Sequence, residues 1–534
     1  MALVSGSSSA VCISLESLTL DQIIAVAKLG EKVSLSEDPA FREKLQSGRK
    51  ALERKLAQGE IVYGVNTGFG GNARRLIPDD EMPHHQANLI EFLSCGTGEA
   101  LSEDIVRAAI LLRANSLARG LSAVRPVVIE RLIDALNLGI TPVVPRFGSV
   151  GASGDLCPSA HITRALIGQG GDVFYHGERM AATEALQKAG LKPLRLESKE
   201  GLALLNGTTM MTAIAAKVVD DTAYLFRVAL GALAMAAEAL HSSADYFHPI
   251  IHLAKHHPGQ ITVAETMNSL LFGSRLAIPL EDIRHRVEQE RRAAHGTIGA
   301  HESIQSPYSL RCIPQGLGPM VESLEQARVV VEREANSVND NPLIDPVSDH
   351  VYHTGNFYGA HIARAMDGLK LDMANLANWL HSVMGLLMDD RFSNGLPPSL
   401  SAQAGVYHSF KGMQLSHSSL VAAIRHWCAP SLIHTLPTEQ FNQDVVSLGT
   451  HSAATAMDVA RLLRDAVSIT LLSAAQAVDL REGAELLGAG TRPMYQKVRS
   501  VSAFVKVDRA LEKDIVAVSG LIDQRSIPVL RSAN

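Results

Sequence analysis

Long apolar stretches with few interruptions fill the second part of the chain. Three ranges are rich in Ala and Leu and nearly free of Gly and Pro: 211–242, 363–388 and 453–480. If these ranges are helical, apolar residues cover much of each circumference, so each helix needs neighbours on several sides. The pattern therefore predicts a bundle of long helices, which we expect to extend between subunits.

The first 205 residues show shorter helical patterns between loops rich in glycine and proline. Apolar spacing predicts helices over 21–29, 41–56, 102–119 and 126–139. Ser102 is a candidate N-cap, Gly120 stops the third helix, and Pro126 suits the first turn of the fourth. We predict an all-α fold with two regions: a loop-rich N-terminal region, residues 1–205, and a long-helix region, residues 206–534.

The composition is typical of a folded helical protein without a nucleic-acid partner. Hydrophobic residues make up 46% of the 534 residues and charged residues 19%, which excludes disorder as the overall state. Aromatic residues are only 4%, which favours helix over strand. The net charge is −6 and no basic run occurs, so binding to nucleic acid is not expected.

The cysteines and the apolar stretches predict a cytoplasmic protein that does not enter a membrane. The five cysteines are scattered without a CxxC pair, so neither a disulfide framework nor a zinc ribbon is expected. Residues 1–10 lack the basic residues and the long apolar core of a signal peptide. The most apolar stretches, 228–240 and 466–478, are too short to cross a bilayer.

Two glycine-rich segments interrupt the helical patterns of the N-terminal region. Residues 61–71 contain four glycines and are predicted to form a loop. Residues 141–156 combine two prolines with three glycines, which predicts a constrained loop. A helix over 158–167 is expected to follow, with Asp155 as its candidate N-cap.

Three interpretations fit the stretch from Gly148 to Asp155. Its glycines could hold a phosphate, but the lysine of phosphate-binding loops and the Rossmann spacing are absent. It could equally be a plain structural turn. It could also react, because in a sharply bent loop the Gly154 nitrogen can attack the Ala152 carbonyl carbon. Loss of that water and dehydration of Ser153 would then leave a conjugated five-membered ring with an electrophilic methylene.

The histidines invite comparison with metal sites. His252 and His256 are four residues apart, and adjacent pairs occur at 84–85 and 256–257. However, the His-Glu-x-x-His motif is absent, and Pro258 interrupts the helix after the second pair. No metal site is therefore predicted.

Several polar strings lie in predicted loops. Turn chemistry alone explains the Asn-Gly and Asn-Pro pairs among them. Tyr308 and Arg311, which stand close to prolines, are harder to explain without a partner, because both side chains are costly to order. The strings are Asn206-Gly-Thr, Gln305-Ser-Pro-Tyr308-Ser-Leu-Arg311, Asn339-Asp-Asn-Pro, Gly355-Asn-Phe357 and Glu439-Gln-Phe-Asn442-Gln443-Asp.

Taken together, the strings resemble the histidine and phenylalanine ammonia-lyases, a family that uses a 4-methylidene-imidazol-5-one group. The resemblance implies an almost wholly helical fold and a homotetramer in which each active site combines loops from three subunits. It also implies that Ala152, Ser153 and Gly154 form the group. The matching segments follow the order of the family: Tyr63-Gly-Val-Asn-Thr-Gly-Phe-Gly, Gly148-Ser-Val-Gly-Ala-Ser-Gly-Asp-Leu, Asn206-Gly-Thr, Tyr308-Ser-Leu-Arg311, Asn339-Asp-Asn-Pro and Asn442-Gln443-Asp.

The resemblance further implies roles for single residues in the elimination of ammonia from an amino acid. Tyr63 matches the catalytic base, and as a phenol it needs a lowered pKa or a nearby charge to act at neutral pH. Arg311 matches the clamp for the substrate carboxylate. Asn206 and Tyr308 match residues that line the prosthetic group. Other matching pocket positions are Gln305, Asn356, Phe357 and Gln443.

The segment that contains Phe92 and Leu93 resembles the part of the family that selects the substrate. Histidine-specific members carry Ser-His at this place, tyrosine-specific members often carry His-Leu, and Phe-Leu is typical of the phenylalanine enzymes. Histidine-specific members also carry Glu where this chain has Gln443. Three more positions resemble the phenylalanine branch: Leu202, Lys411 and Leu415.

The sequence thus predicts a phenylalanine ammonia-lyase that forms trans-cinnamate and ammonia in phenylalanine catabolism. Alternatives within the family are a phenylalanine or tyrosine 2,3-aminomutase and a tyrosine or histidine ammonia-lyase. Ala152 favours the lyases, because bacterial aminomutases often carry Thr there. Outside the family, an inert helical scaffold is the alternative, and the presence of Ser153, Tyr63 and Arg311 argues against it.

Overall fold

Helices dominate the computed structural model, which describes residues 10–530. Within this range there are nineteen α-helices and nine strands of three or four residues. The strands form three two-stranded sheets and one three-stranded sheet. The predicted all-α fold is therefore confirmed.

The chain forms two compact units, each assembled from separate stretches of sequence. Unit 1 comprises the described residues through Asp220, with Ala327–Asp367 and Pro430–Met457. Unit 2 comprises Asp221–Gln326, Gly368–Ala429 and the described residues from Asp458 onward. The division into regions 1–205 and 206–534 remains a prediction about the domains.

Eight helices lie wholly in unit 1, which also contains all nine strands of the described residues. Its helices are α1 (Leu20–Ile24), α2 (Pro39–Ala57), α3 (Met82–Leu93), α4 (Glu103–Leu117), α5 (Pro126–Leu138), α6 (Leu156–Leu166), α7 (Ala182–Lys188) and α8 (Glu200–Leu205). Its strands are β1 (Val11–Ile13), β2 (Val33–Leu35), β3 (Thr97–Ala100), β4 (Ile140–Pro142), β5 (Pro145–Phe147), β6 (Asp172–Tyr175), β7 (Glu178–Ala181), β8 (Leu343–Asp345) and β9 (His350–Tyr352). β1 pairs with β2 in parallel, and the antiparallel pairings are β3 with β5, β6 with both β4 and β7, and β8 with β9.

Four long helices have residues in both units, and seven helices lie wholly in unit 2. The long helices are α9 (Thr209–Ala239), α14 (Ile313–Ala335), α15 (Ala360–Met388) and α17 (Gly449–Leu480). The helices of unit 2 are α10 (Pro249–Leu253), α11 (Pro258–Leu271), α12 (Leu280–Ala293), α13 (Tyr308–Arg311), α16 (Lys411–Trp427), α18 (Thr491–Arg499) and α19 (Glu512–Asp523).

Most of each long apolar range is helical, and α9 extends well beyond the stretch 228–240 that was predicted to be too short to cross a bilayer. In α17 every residue from 466 to 478 is buried, as expected for a helix with neighbours on several sides. Helix α9 has 31 residues and is long and apolar enough to cross a membrane by length and composition. In its most apolar window 89% of the residues are buried within the folded chain, which is usual for a core helix.

The structure departs from the sequence prediction at two local points. The predicted helix over 21–29 is α1 followed by one π-helical turn, Ala25–Leu29. The predicted loop 141–156 includes β4 and β5, because β6 and β3 pair with these short segments. Neither proline opposes this pairing, since Pro142 ends β4 and Pro145 begins β5.

A small apolar cluster in unit 1 fixes the loop that begins at residue 61. Val62 and Val65 are fully buried and pack with Leu52 of α2 and Ile344 of β8. Val62 and Val65 flank Tyr63 in the sequence. Because both valines are buried, they fix the position from which the Tyr63 side chain leaves the loop.

Candidate active site

Ala152 and Ser153 form the tip of a tight turn between β5 and α6. Ser153 has a φ of +51°, in the left-handed region that residues with a Cβ rarely adopt. A Cβ at Gly154 would lie 2.1 Å from the carbonyl oxygen of Gly207, so only glycine fits there. A sharp bend and small residues are the features that ring closure at this tripeptide requires.

The carboxylate of Asp155 fastens the turn to its surroundings. Asp155 is fully buried and accepts hydrogen bonds from Met211 N at 2.8 Å, from Ser149 Oγ at 3.1 Å and from the Thr450 hydroxyl. Burial raises the pKa of Asp155, and the three donors oppose that rise. Asp155 is the N-cap residue of α6, as predicted, but its side chain makes no capping hydrogen bond to the helix. The three donors occupy the carboxylate instead.

Asn206, the C-cap residue of α8, adjoins the turn through the backbone. The next residue, Gly207, donates its N–H to Ser153 O at 3.1 Å and accepts from Asp155 N at 2.7 Å. The Asn206 carbonyl accepts from the buried guanidinium of Arg113 at 2.7 Å. Asn206 is therefore fixed beside the tripeptide by the same bonds that hold the turn.

Tyr63 reaches the site from the loop that begins at residue 61. Its phenol oxygen accepts a hydrogen bond from Gly70 N at 2.8 Å. Burial raises the pKa of Tyr63, the Gly70 N–H lowers it, and the negative charge of Glu439 raises it further. The net direction is upward, so these neighbours do not lower the pKa as a base at neutral pH requires.

A cavity of about 500 Å³ in unit 1 is lined by both Tyr63 and Ser153. Its apolar lining includes Phe92 and Leu93, which end α3, and Leu202 of α8. Helix α3 packs against α6 and α8, the helices next to the turn and to Asn206. The structure thus brings the predicted selectivity residues to the cavity that contains the predicted reactive ones.

A second cavity, of about 430 Å³, has four lining residues in common with the first: Tyr63, Ser153, Asn341 and Gln443. Because they line both spaces, the two cavities meet at the turn. Gln443 Nε2 donates to Ser153 Oγ at 2.9 Å, so this glutamine contacts the tripeptide directly.

Of two further predicted pocket residues, Phe357 and Asn356, one lines the second cavity and the other does not. Phe357 lines it. The adjacent Asn356 is exposed, and its side chain donates to Val338 O at 3.2 Å. Asn356 is not in the lining of either cavity, so its predicted substrate contact remains a prediction.

Five predicted site residues belong to unit 2 and are not among the residues that line the two cavities. Tyr308 and Arg311 form the short helix α13, where the guanidinium carbon lies 4.6 Å from the centre of the phenol ring. Tyr308 is 70% exposed. The other three are also exposed: Gln305, Lys411 and Leu415.

Glu439 and Asn341 are among the cavity residues that were absent from the predicted set. Glu439 lines the first cavity, and Asn341 lines both. Each lies in one of the polar strings noted in the sequence, although no role was predicted for either residue. A Cβ at Gly70 would lie 2.5 Å from Glu439 Oε2, which shows how closely the Tyr63 loop approaches this carboxylate.

Several histidines serve as hydrogen-bonding groups in the part of the chain that the structure describes. His252 is buried, with one ring nitrogen 3.1 Å from Tyr246 O and the other 3.0 Å from the Gln260 amide. Across residues 10–530, no three side chains of His, Cys, Asp or Glu come together as a metal site. All five cysteines are free thiols.

Comparisons with known proteins identify the family. The family model for aromatic amino acid lyases matches residues 18–500. The chain is 40% identical to phenylalanine ammonia-lyase of Nostoc punctiforme, covering 89% of this chain and 82% of that protein. It is 39% identical to histidine ammonia-lyase of Geobacillus thermodenitrificans, covering 91% and 92%. The solved structure of Pantoea agglomerans phenylalanine aminomutase has a TM-score of 0.91 at 34% identity, covering 96% and 98%. This chain therefore belongs to the aromatic amino acid lyase family.

Proposed function

We propose that this protein eliminates ammonia from L-phenylalanine and releases trans-cinnamate. One observation carries the proposal: a single cavity contains Ser153 and Tyr63 together with the carbon-only side chains of Phe92 and Leu93. Family membership supplies the reaction class, a carbon–nitrogen lyase acting on an aromatic amino acid.

The tripeptide Ala152–Gly154 fits the 4-methylidene-imidazol-5-one group. Ring closure joins the Gly154 nitrogen to the Ala152 carbonyl carbon with loss of one water, and Ser153 then loses its hydroxyl as a second water. The left-handed φ of Ser153 and the space beside Gly154, too small for any side chain, support closure at this turn. Asn206 supports it too, because its buried Oδ1 has no hydrogen-bond partner among the described residues.

The residues of the chain perform the remaining chemistry. When formed, the group supplies an electrophilic carbon that makes the substrate nitrogen a better leaving group. Tyr63 takes the proton from the substrate β-carbon, and the Gly70 N–H holds the phenol oxygen in place. Arg311 binds the substrate carboxylate with its two-pronged guanidinium.

The apolar lining favours phenylalanine over histidine and tyrosine. Phe92, Leu93 and Leu202 offer no hydrogen bond, so an imidazole or a phenol hydroxyl beside them would lose its bonds to water without replacement from these side chains. Gln443 on Ser153 is neutral, whereas the histidine-specific pattern has a carboxylate there. Relatives named for histidine and for an aminomutase make urocanate and β-phenylalanine the products to exclude.

The test combines product analysis with the intact mass of the protein. The purified protein is incubated with L-phenylalanine, L-tyrosine or L-histidine, and the products are separated and identified by mass and ultraviolet spectrum. We expect cinnamate and ammonia, and an intact protein about 36 Da lighter than its sequence after loss of two waters. Ser153→Ala has no hydroxyl to lose, so it is expected to be at most about 18 Da lighter than its own sequence. We expect it to keep the helical fold and to lose activity by orders of magnitude. Urocanate or β-phenylalanine as the main product, or an active protein of unaltered mass, would contradict the proposal.

We also propose that the protein works as a homotetramer. Gln305, Tyr308, Arg311, Lys411 and Leu415 are exposed or partly exposed in unit 2, whereas the two cavities are lined by unit 1. In a tetramer, these residues of one copy can contact a substrate that is bound in a cavity of another copy. Light scattering at micromolar concentration is expected to give four times the chain mass of 57.2 kDa, and a monomer would contradict this.

A further inference from the structure

A fully buried ion pair, Lys199 with Asp340, has no part in the chemistry described so far. Lys199 Nζ lies 2.5 Å from Asp340 Oδ2, and neither side chain has exposed surface. Lys199 also has a φ of +76° at the position before α8. A buried ammonium and a left-handed backbone are both unfavourable for lysine, so a surface position would be the ordinary outcome.

The carboxylate of this pair binds the side chain of Asn206. Asn206 Nδ2 donates to Asp340 Oδ1 at 3.2 Å and to Asn341 O at 3.1 Å. The Asn206 backbone is fixed as well, since its N–H donates to Leu202 O at 2.8 Å and its carbonyl accepts from Arg113. With Nδ2 held in this way, Oδ1 is the buried Asn206 atom that has no partner among residues 10–530.

The same asparagine is continuous with the reactive turn. Gly207 follows it in the chain and bonds to Ser153 O at 3.1 Å, and Asn206 and Ser153 line one cavity. A rotation of the Asn206 carboxamide would therefore change which of its atoms is available beside the tripeptide.

We propose that Lys199 is a positioning residue that acts through Asp340 on Asn206. The ammonium fixes one carboxylate oxygen, so the other stays in place to accept from Nδ2. Asn206 Oδ1 is thereby kept free beside the group formed at Ala152–Gly154. This inference rests on the proposed function, because it assigns Oδ1 to that group. Without Lys199, Oδ2 of Asp340 loses its ammonium, and only Oδ1 keeps donors, which are Asn341 N at 2.6 Å and Asn206 Nδ2. The carboxylate can then turn, and the carboxamide loses its fixed orientation.

The test is Lys199→Met, which keeps the buried stem of the side chain and removes the ammonium. The readouts are the fraction of chains about 36 Da lighter by intact mass, and kcat and KM per closed chain. We expect that fraction to fall, or kcat per closed chain to fall by about ten- to a hundredfold with KM within about threefold. A wild-type fraction together with a wild-type kcat would overturn the proposal.

The neighbouring residue provides a matched control. Glu200 is also fully buried and pairs with Arg125 at 2.7 Å, at the same end of α8, without a bond to Asn206. Glu200→Gln is expected to lower the melting temperature and to leave both the closed fraction and kcat per closed chain unchanged. If Glu200→Gln lowered kcat as Lys199→Met does, the effect would be general loosening of α8, and the positioning role would be wrong.

A double variant keeps the proposal testable if Lys199→Met does not fold. Lys199→Met with Asp340→Asn removes both charges and leaves an acceptor at residue 340. We expect a folded protein whose kcat per closed chain remains at least about tenfold low, because the amide can turn either its oxygen or its nitrogen toward Asn206. Full kcat in the double variant would overturn the role of Lys199. Failure of the wild-type protein itself to show the lighter mass would instead overturn the proposed function.

Discussion

Phe92 is the side chain with which a change of substrate can be tested most directly. Phenylalanine buries only carbon against it, whereas tyrosine brings a hydroxyl that costs roughly 1–3 kcal/mol when buried without a partner. We therefore expect kcat/KM for tyrosine to be about ten- to a hundredfold below that for phenylalanine. Phe92→His adds a hydrogen-bonding group and is expected to raise kcat/KM for tyrosine while lowering it for phenylalanine.

The measurement is kcat/KM for both substrates in both proteins. Leu76, an exposed leucine outside the lining of the first cavity, gives the control variant Leu76→His, for which the substrate ratio should not change. An unchanged ratio in Phe92→His would mean that Phe92 does not contact the substrate ring.

The pH dependence of the reaction depends on Glu439 as well as on Tyr63. Burial and the charge of Glu439 both raise the pKa of Tyr63, so the fraction of phenolate, and with it kcat/KM, should still be rising above pH 9. Glu439→Gln removes one of these causes, so the rise should move to lower pH. Profiles of kcat/KM from pH 7 to 10.5 for the wild-type protein and for Glu439→Gln test this. A rise at the same pH in Glu439→Gln would show that Tyr63 is not the titrating base.

Local chain features were predictable from the sequence where one short-range effect dominates. Helices α2 and α5 follow from apolar spacing, with Pro126 and Gly139 at the ends of α5. The role of Asp155 was not predictable, because its donors Met211 and Thr450 are far away in the sequence. Glycine density suggested a bend at Ala152–Gly154, whereas the reason that Gly154 must be glycine is Gly207, which also comes from a distant segment.

Three helices meet within unit 2 at a pair of stacked histidines. His381 of α15 and His417 of α16 approach with their Nδ1 atoms at 3.2 Å, and Thr470 of α17 contacts His417 Nε2 at 3.3 Å. Burial first, and the nearby His381 second, lower the pKa of His417 to about 4. The folded protein therefore favours the neutral form of His417.

This pair makes the fold sensitive to acid. The folded pKa is below the unfolded value, so the unfolded chain binds the proton first as the pH falls. The stabilisation is complete above about pH 6.5 and is lost as the pH falls toward 4, by on the order of 3 kcal/mol. His417→Gln should therefore show a smaller loss of unfolding midpoint between pH 7 and pH 5 in urea titrations. The control is His426→Gln, at an exposed position of the same helix, which should behave as the wild type does. If the unfolding midpoint of His417→Gln fell between pH 7 and pH 5 by as much as that of the wild type, this account would be contradicted.

At the scale of the assembly, the decisive question is whether Tyr63 and Arg311 of one active site come from the same copy. Tyr63 lines the cavity of unit 1, whereas Arg311 lies on α13 in unit 2 and is absent from that lining. If different copies supply them, an inactive Tyr63→Phe chain and an inactive Arg311→Met chain contain complementary defects. Hybrids formed by co-expression would then have both native residues at about one site in four when the chains mix equally.

We expect the separately tagged chains, purified together, to recover activity approaching that fraction, although each variant alone is inactive. Co-expression of Tyr63→Phe with the double variant Tyr63→Phe/Arg311→Met is the matched control, because no hybrid site in it contains Tyr63. If both residues of a site came from one copy, every site in the hybrids would carry one defect and activity would stay absent. Inactive hybrids of confirmed mixed composition would therefore show that one chain supplies both groups, and the shared-site tetramer would be wrong for this protein.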